Sequence, residues 1–202
     1  MIKKIVKKGR IILRVIAGTA KKRRLKSPGR LPVRPTADRV KESLFNIIGS
    51  RLPDSFFADL YAGTGGVGIE ALSRGAAKVL FVERDARVVR VLKDNLAITG
   101  LGANAELVLG DVRTALDTAV RKQNSFDIVF ADPPYRQGLA ADVLNILNKC
   151  PVLHLNGIIV LEIGADEDMP GQAGIYQLWR RVKYGDTALV FYRFLQNTSA
   201  VE

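Results

Sequence analysis

The sequence holds one cysteine, one histidine and one tryptophan, and no apolar run approaching the ~18 residues that span a bilayer. With Cys150 alone, an internal disulfide is excluded and no cysteine metal site can be built. The lone His154 reads as a satisfied structural histidine rather than a ligand. The short apolar run at residues 11–20 is interrupted by Arg14 and followed by Lys21-Lys22-Arg23-Arg24, which is not the layout of a secretory signal. A reducing cytoplasmic location, away from membranes, is the expectation. At 48% hydrophobic and 25% charged residues, the 202-residue chain has the means to bury one full-sized core.

Acidic charge is nearly missing from one end. Residues 1–41 carry 15 Lys or Arg against a single acid, Asp38, whereas the rest carries 16 bases and 19 acids. The net charge of +11 therefore resides wholly in the N-terminal fifth, over a slightly acidic remainder. Such asymmetry is the footprint of a polyanionic partner or of a solvated basic tail. Gly9, Gly18, Pro28, Gly29 and Pro32 break up any amphipathic helix that would lie on an anionic membrane.

Along this end, residues 10–28 read as one or two short strands, followed by a Pro/Gly-rich link. "TADRVKESLFNIIGS" reads as a helix with Val40, Leu44, Ile47 and Ile48 on one stripe, Thr36 as N-cap and Gly49 as its end. Residues 1–50 are expected to form a basic extension packed against a domain at 51–202. From Phe56 onward the pattern alternates: five apolar strands, each of the first four followed by a helix. That order predicts an α/β fold with a Rossmann-like, doubly wound, mostly parallel sheet. "IYQLWRRVKYGDTALVFYRFL" adds two strands turning near Gly185-Asp186, an antiparallel hairpin at one sheet edge that brings the count to seven.

"DLYAGTGGVGIE" joins the first strand to its helix. Gly63, Gly65 and Gly68 satisfy G-x-G-x-x-G, and Glu83 ends the next strand. The pattern suits a tight turn that brings backbone close to a ligand, with an acid to accept a ribose hydroxyl. A nicotinamide site or a purely structural turn would look the same. Asp59, four residues ahead of the loop, and Asp111, after the third strand, favour S-adenosylmethionine. Asp59 is placed to meet a methionine ammonium, and Asp111 to face an adenine amino group or to cap the next helix.

The fourth strand, "FDIVFA", runs into Asp132-Pro133-Pro134-Tyr135. Two prolines cannot join a central ladder, so the strand stops there, at the same sheet edge as the glycine loop. Asp127 lies at the other end and reads as structural, and Trp179 reads as core or edge packing.

"DLYAGTGGVG" followed by "DPPY" resembles the class I methyltransferases of exocyclic amino nitrogens. "RVIAGTAKKRRL", "RPTADRVKESLFNII", "DLYAGTGGVGIEALSRGA", "FVERD" and "DPPY" together resemble the RsmD family of 16S ribosomal RNA guanine-N2 methyltransferases, from about Arg14 to Leu195. Residues 1–10 look like an extension beyond it. Tyr61 and Thr64 stand where Phe and Ser are frequent. The resemblance implies S-adenosylmethionine at Asp59, Ala62, Gly63, Thr64, Gly65, Glu83, Arg84, Asp111 and Val112. It implies catalysis by Asp132, Pro133, Pro134 and Tyr135, and RNA contact by Arg23, Arg24, Arg34, Thr36 and Arg39. The expected substrate is small-subunit ribosomal RNA within an assembled or assembling subunit, and the expected state is a monomer. A DNA adenine or protein glutamine methyltransferase, and a non-catalytic RNA-binding assembly factor, are the competing readings.

Overall fold

The computed structural model describes residues 13–27, 29 and 38–195. Arg34, Thr36, most of the Pro/Gly-rich link and residues 1–10 lie outside these.

The first helix, α1, spans Asp38–Ile48 and buries Val40, Leu44, Phe45 and Ile48, with Ile47 partly covered. The expected stripe thus faces the protein, and each fully buried aliphatic side chain contributes roughly 1.5–3 kcal/mol. The strands and helices that follow come in the expected order: β1 (Phe56–Asp59), α2 (Gly66–Ser73), β2 (Lys78–Glu83), α3 (Ala86–Thr99), β3 (Ala105–Leu109) and α4 (Val112–Arg121). Then come β4 (Phe126–Ala131), α5 (Leu139–Lys149), β5 (Leu153–Gly164), β6 (Gln172–Ala173), β7 (Tyr176–Tyr184) and β8 (Thr187–Phe194).

The strands form one sheet in the order β3-β2-β1-β4-β5-β8-β7-β6. The β3-to-β5 portion is parallel, because each crossover is a helix, and β8 and β7 add antiparallel to β5. The seven anticipated strands are present; the two-residue β6 is an eighth, pairing only Gln172 and Ala173 with β7. One face of the sheet buries Leu44, Ile69 and Leu92 of α1, α2 and α3. The opposite face buries Leu116 of α4 and Leu144 of α5. Central strands covered on both faces need no polar alternation, which explains runs such as "DIVFA".

The strands expected within residues 10–28 reduce, among the described residues, to one antiparallel bridge between Arg14 and Arg24. The backbone donors that would extend a ladder are taken by groups of α2. Glu70 accepts from the amides of Ile16 (2.7 Å) and Ala17 (2.9 Å), and the Ser73 carbonyl accepts from Thr19 N–H (2.7 Å). Leu13, Val15, Ala20 and Leu25 enter the same apolar cluster as α1, α2 and α3. The basic segment is therefore tethered by its apolar residues, leaving its cations outside.

Asp127 is structural, as its position in the strand suggested. Its carboxylate accepts from Phe56 N–H at 2.8 Å and lies 2.8 Å from His154 Nδ1. Trp179 stands at a bulge between Leu178 and Arg180, edge-on to Phe191 at 6.0 Å, and is 37% exposed. Among the described residues no helix is long and apolar enough to cross a membrane.

Candidate active site

Parallel registers align the carboxyl ends of four strands. Asp59 pairs with Phe81 on one side and Phe130 on the other, and Glu83 pairs with Leu109. The residues just past β1, β3 and β4, and Glu83 ending β2, therefore meet at one edge. They line a single cavity of about 540 Å³ that includes Gly63, Glu83, Asp111 and Asp132. This size is in the range of small-molecule sites.

The glycine loop forms because Gly63 (φ 52°) and Gly65 (φ 84°) both take left-handed backbone, which a side chain would strain. Gly68 has a packing reason instead: an added Cβ would lie 2.3 Å from Phe81 Cε1, so α2 rests directly on β2. Ala62, Gly63 and Thr64 line the cavity. Gly65 does not; a Cβ there would sit 2.2 Å from Leu92 Cδ1, so its place is in the turn and against α3. The sequence expectation grouped Gly65 with Ala62, Gly63 and Thr64 as cofactor-binding residues; of the four, it alone is not among the residues lining the cavity.

The acids behave differently from one another. Asp59 is almost wholly buried, and burial pushes its carboxyl up to about 7, although the Gly68 N–H donated at 3.0 Å opposes the rise. Glu83 accepts from the Gly63 amide at 3.0 Å and from the Asp85 amide at 2.8 Å, so it braces the loop whose ligand it was expected to hold. Each carboxylate oxygen keeps a second lone pair for a hydroxyl donor. Asp111 is the N-cap of α4: it accepts from Thr114 N–H at 2.9 Å and from the Thr114 hydroxyl at 2.8 Å, and these bonds hold its carboxyl low. It also lines the cavity, as do Arg84 and Val112, so capping and facing the site coexist.

Asp132, Pro133, Pro134 and Tyr135 all line the same cavity as the glycine loop, β4 lying beside β1 in the sheet. Asp132 and Tyr135 are half-buried, Pro133 is buried and Pro134 is exposed. The Tyr135 hydroxyl donates to Glu162 Oε1 at 2.8 Å and lies 3.3 Å from Thr187 Oγ1. Burial, with the Glu162 and Asp132 carboxylates nearby, drives its pKa well above the ordinary tyrosine range, so the phenol stays protonated. The hydroxyl contacts thus hold the ring at its far end. Glu162 on β5 and Thr187 on β8 were missed by sequence reasoning, since each looks like one more strand residue.

Arg23, Arg24 and Arg39 are exposed. Asn95, fully buried on α3, joins the basic segment to the glycine loop. Its Oδ1 accepts from Lys26 N–H at 2.6 Å, and its Nδ2 donates to the Lys26 carbonyl at 3.2 Å and the Thr64 carbonyl at 2.9 Å. Leu13 and Lys41 also reach the cavity wall, so the N-terminal extension completes the site.

A family model described as "Conserved hypothetical protein 95" matches residues 13–193. The chain is 36% identical over 187 residues to the Ribosomal RNA small subunit methyltransferase D of Haemophilus influenzae, covering 92% of this chain and 94% of that protein. Among solved structures, a hypothetical protein of Thermus thermophilus superposes with a TM-score of 0.79 at 33% identity, covering 90% of this chain and 99% of the other. An RNA methyltransferase of Salinibacter ruber, in complex with S-adenosyl-L-homocysteine, has a TM-score of 0.61 at 16% identity, with 84% and 98% covered, and so shares the fold.

Proposed function

The chain belongs to the RsmD family of small-subunit ribosomal RNA methyltransferases, and from this premise we propose that it methylates the exocyclic N2 amine of a guanine in 16S ribosomal RNA. The methyl donor is S-adenosylmethionine. The observation that carries the reading is the shared cavity, lined by Gly63 and Glu83 together with Asp132 to Tyr135.

The residues present fit the donor. A left-handed glycine turn allows backbone to approach a nucleoside closely, and Glu83 and Asp111 offer oxygen acceptors around the same space. Asp59 supplies a carboxylate beneath the loop for an ammonium group. When bound, S-adenosylmethionine supplies an electrophilic methyl carbon on a positively charged sulfur.

The chain's own residues prepare the nucleophile. A guanine 2-amino nitrogen is weakly nucleophilic because its lone pair is delocalised into the ring. Acceptors on both N–H bonds draw it toward a tetrahedral shape and free the lone pair. The Asp132 carboxylate is one acceptor and the Pro133 carbonyl the other, held with little entropy cost by the two rings. Tyr135 stacks on the extruded base, its ring fixed through the hydroxyl by Glu162 and Thr187. A carboxylate needed only as an acceptor suits this chemistry, because the methylated nitrogen is acidic enough to give its proton to water.

Arg23, Arg24, Arg34 and Arg39, with Thr36, hold phosphates and set orientation while the pocket reads the base. The cation excess of residues 1–41 supports this. A structured RNA surface is the partner such a segment suits, which favours an assembled or assembling subunit in the cytoplasm over a free nucleotide, with the protein acting as a monomer. Methyl-labelled S-adenosylmethionine incubated with the protein and small subunits, naked ribosomal RNA or DNA tests the whole reading after digestion to nucleosides. Label in N2-methylguanine is expected. Label in N6-methyladenine, or cofactor binding without transfer to any substrate, would overturn it.

A further inference from the structure

Lys41 occupies a position that neither the RNA contact nor the base chemistry uses. It lies on the stripe of α1 formed with Leu44, Phe45 and Ile48, and only 1% of it is exposed. Its Nζ donates to the Arg14 carbonyl at 2.8 Å and sits 3.6 Å from Glu70 Oε2. Glu70 is itself fully buried and already accepts from Ile16 N–H, Ala17 N–H and, at 2.8 Å, Arg74 Nε. One carboxylate thus faces two cations, of which Lys41 is buried and Arg74 is partly exposed, its side chain 19% accessible. The Lys41 ammonium, with three donors, therefore shares its counter-charge and has donors to offer an anion. Arg74 stacks on Phe45 at 4.8 Å and does not line the cavity, whereas Lys41 does. Burial pushes the Lys41 pKa down, with Glu70 and Asp38 opposing.

The neighbouring carboxyl identifies the anion. Asp59 is buried, accepts from the Gly68 N–H of α2 and lines the same cavity as Lys41. A buried carboxyl and a buried ammonium thus border one space. A ligand with an ammonium and a carboxylate on one carbon matches that pair. Arg84, the other cation among the lining residues, is exposed just beyond β2. We infer that Lys41 is a cofactor-binding residue, whose ammonium receives the α-carboxylate at the amino-acid end of S-adenosylmethionine while Asp59 receives the α-ammonium. This rests on the cofactor reading above and adds the residue that recognises the carboxylate.

The test compares two probes by calorimetry on the full chain without RNA. S-adenosylhomocysteine keeps the amino-acid end, and 5′-methylthioadenosine lacks it. In Lys41→Met the affinity for S-adenosylhomocysteine is expected to fall about 10- to 100-fold, the worth of one charge-assisted bond. The affinity for 5′-methylthioadenosine should change less than about twofold, and Lys41→Arg should keep most of the S-adenosylhomocysteine affinity. Unchanged S-adenosylhomocysteine binding, or equal loss of both probes, would overturn the assignment. Should Lys41→Met fail to fold, the wild-type chain decides with decarboxylated S-adenosylhomocysteine, which must bind at least about tenfold more weakly than the parent. A wild-type chain that binds no S-adenosylhomocysteine would refute the cofactor reading itself, a separate outcome.

Discussion

Cofactor affinity should depend on pH through Asp59. In the ligand-free protein this carboxyl titrates near 7 against an ordinary 3.8, mainly because burial disfavours its charged form. An ammonium beside it stabilises the ionised form and lowers that value. Binding at a pH below 7 must then release a proton, so affinity falls by up to tenfold per pH unit as pH drops below 7, and levels off above it. Between pH 8 and 5.5 the loss approaches ~30-fold. The ligand-free stability moves the other way. A raised folded-state pKa contributes stability that is fully present below the ordinary 3.8 and is lost as pH rises through about 7. The full loss is on the order of 4 kcal/mol, from about three pK units at ~1.4 kcal/mol each. Asp59→Asn should remove both effects: a flat affinity profile, weaker binding at pH 8, and a ligand-free protein more stable than wild type at pH 8 but not at pH 4. Calorimetric titration of S-adenosylhomocysteine from pH 5.5 to 8, in buffers of differing ionisation enthalpy, reads the proton release directly. A wild-type profile that is flat, or equally steep in Asp59→Asn, would refute the reasoning.

Asp132→Ala should lower turnover about 100-fold or more while S-adenosylhomocysteine affinity stays within about threefold, since the carboxylate acts on the amine and not on the donor; equal losses in single-turnover rate and calorimetry would contradict that division. Replacing Arg23 and Arg24 together with Ala should reduce the slope of log affinity against log salt for RNA by about 1.4–1.8, the worth of two phosphate contacts. An unchanged slope in filter binding removes both from the interface. Gly18→Ala should cost several kcal/mol, because a Cβ at Gly18 would lie 1.7 Å from the Ser73 carbonyl oxygen where φ is already +81°. Thermal melting and limited proteolysis after Lys21 to Lys26 check whether the basic segment detaches, and a melting point equal to wild type would show that the contact yields cheaply.

Much of this architecture is legible along the chain because its signals are local. Apolar strand runs of four to six residues, helices ended by Gly75 or Gly100 or begun by Asp85 or Asp111, and prolines after Ala131 each act within one or two turns of backbone. They determine the order of strands and helices and the right-handed crossovers. The crossovers in turn bring Gly63, Glu83 and Asp132 to one edge. What depends on distant neighbours is not readable in this way. Residues 10–28 carry strand-forming side chains, yet the amides of Ile16, Ala17 and Ala20 go to Glu70 and Ser73, 53 or 54 positions away, and among the described residues a single bridge remains. Glu83 has the spacing of a ribose acceptor, and only the packed loop shows that it also accepts from Gly63. Lys41, Glu162 and Asn95 have no sequence mark at all. The amino-acid sequence determined the parallel sheet with its antiparallel hairpin and the edge at which its motifs gather. The tertiary structure alone decided which charges are buried and which partners they meet, because desolvation and charge pairing are set by atoms that share space, not by residues that share a segment.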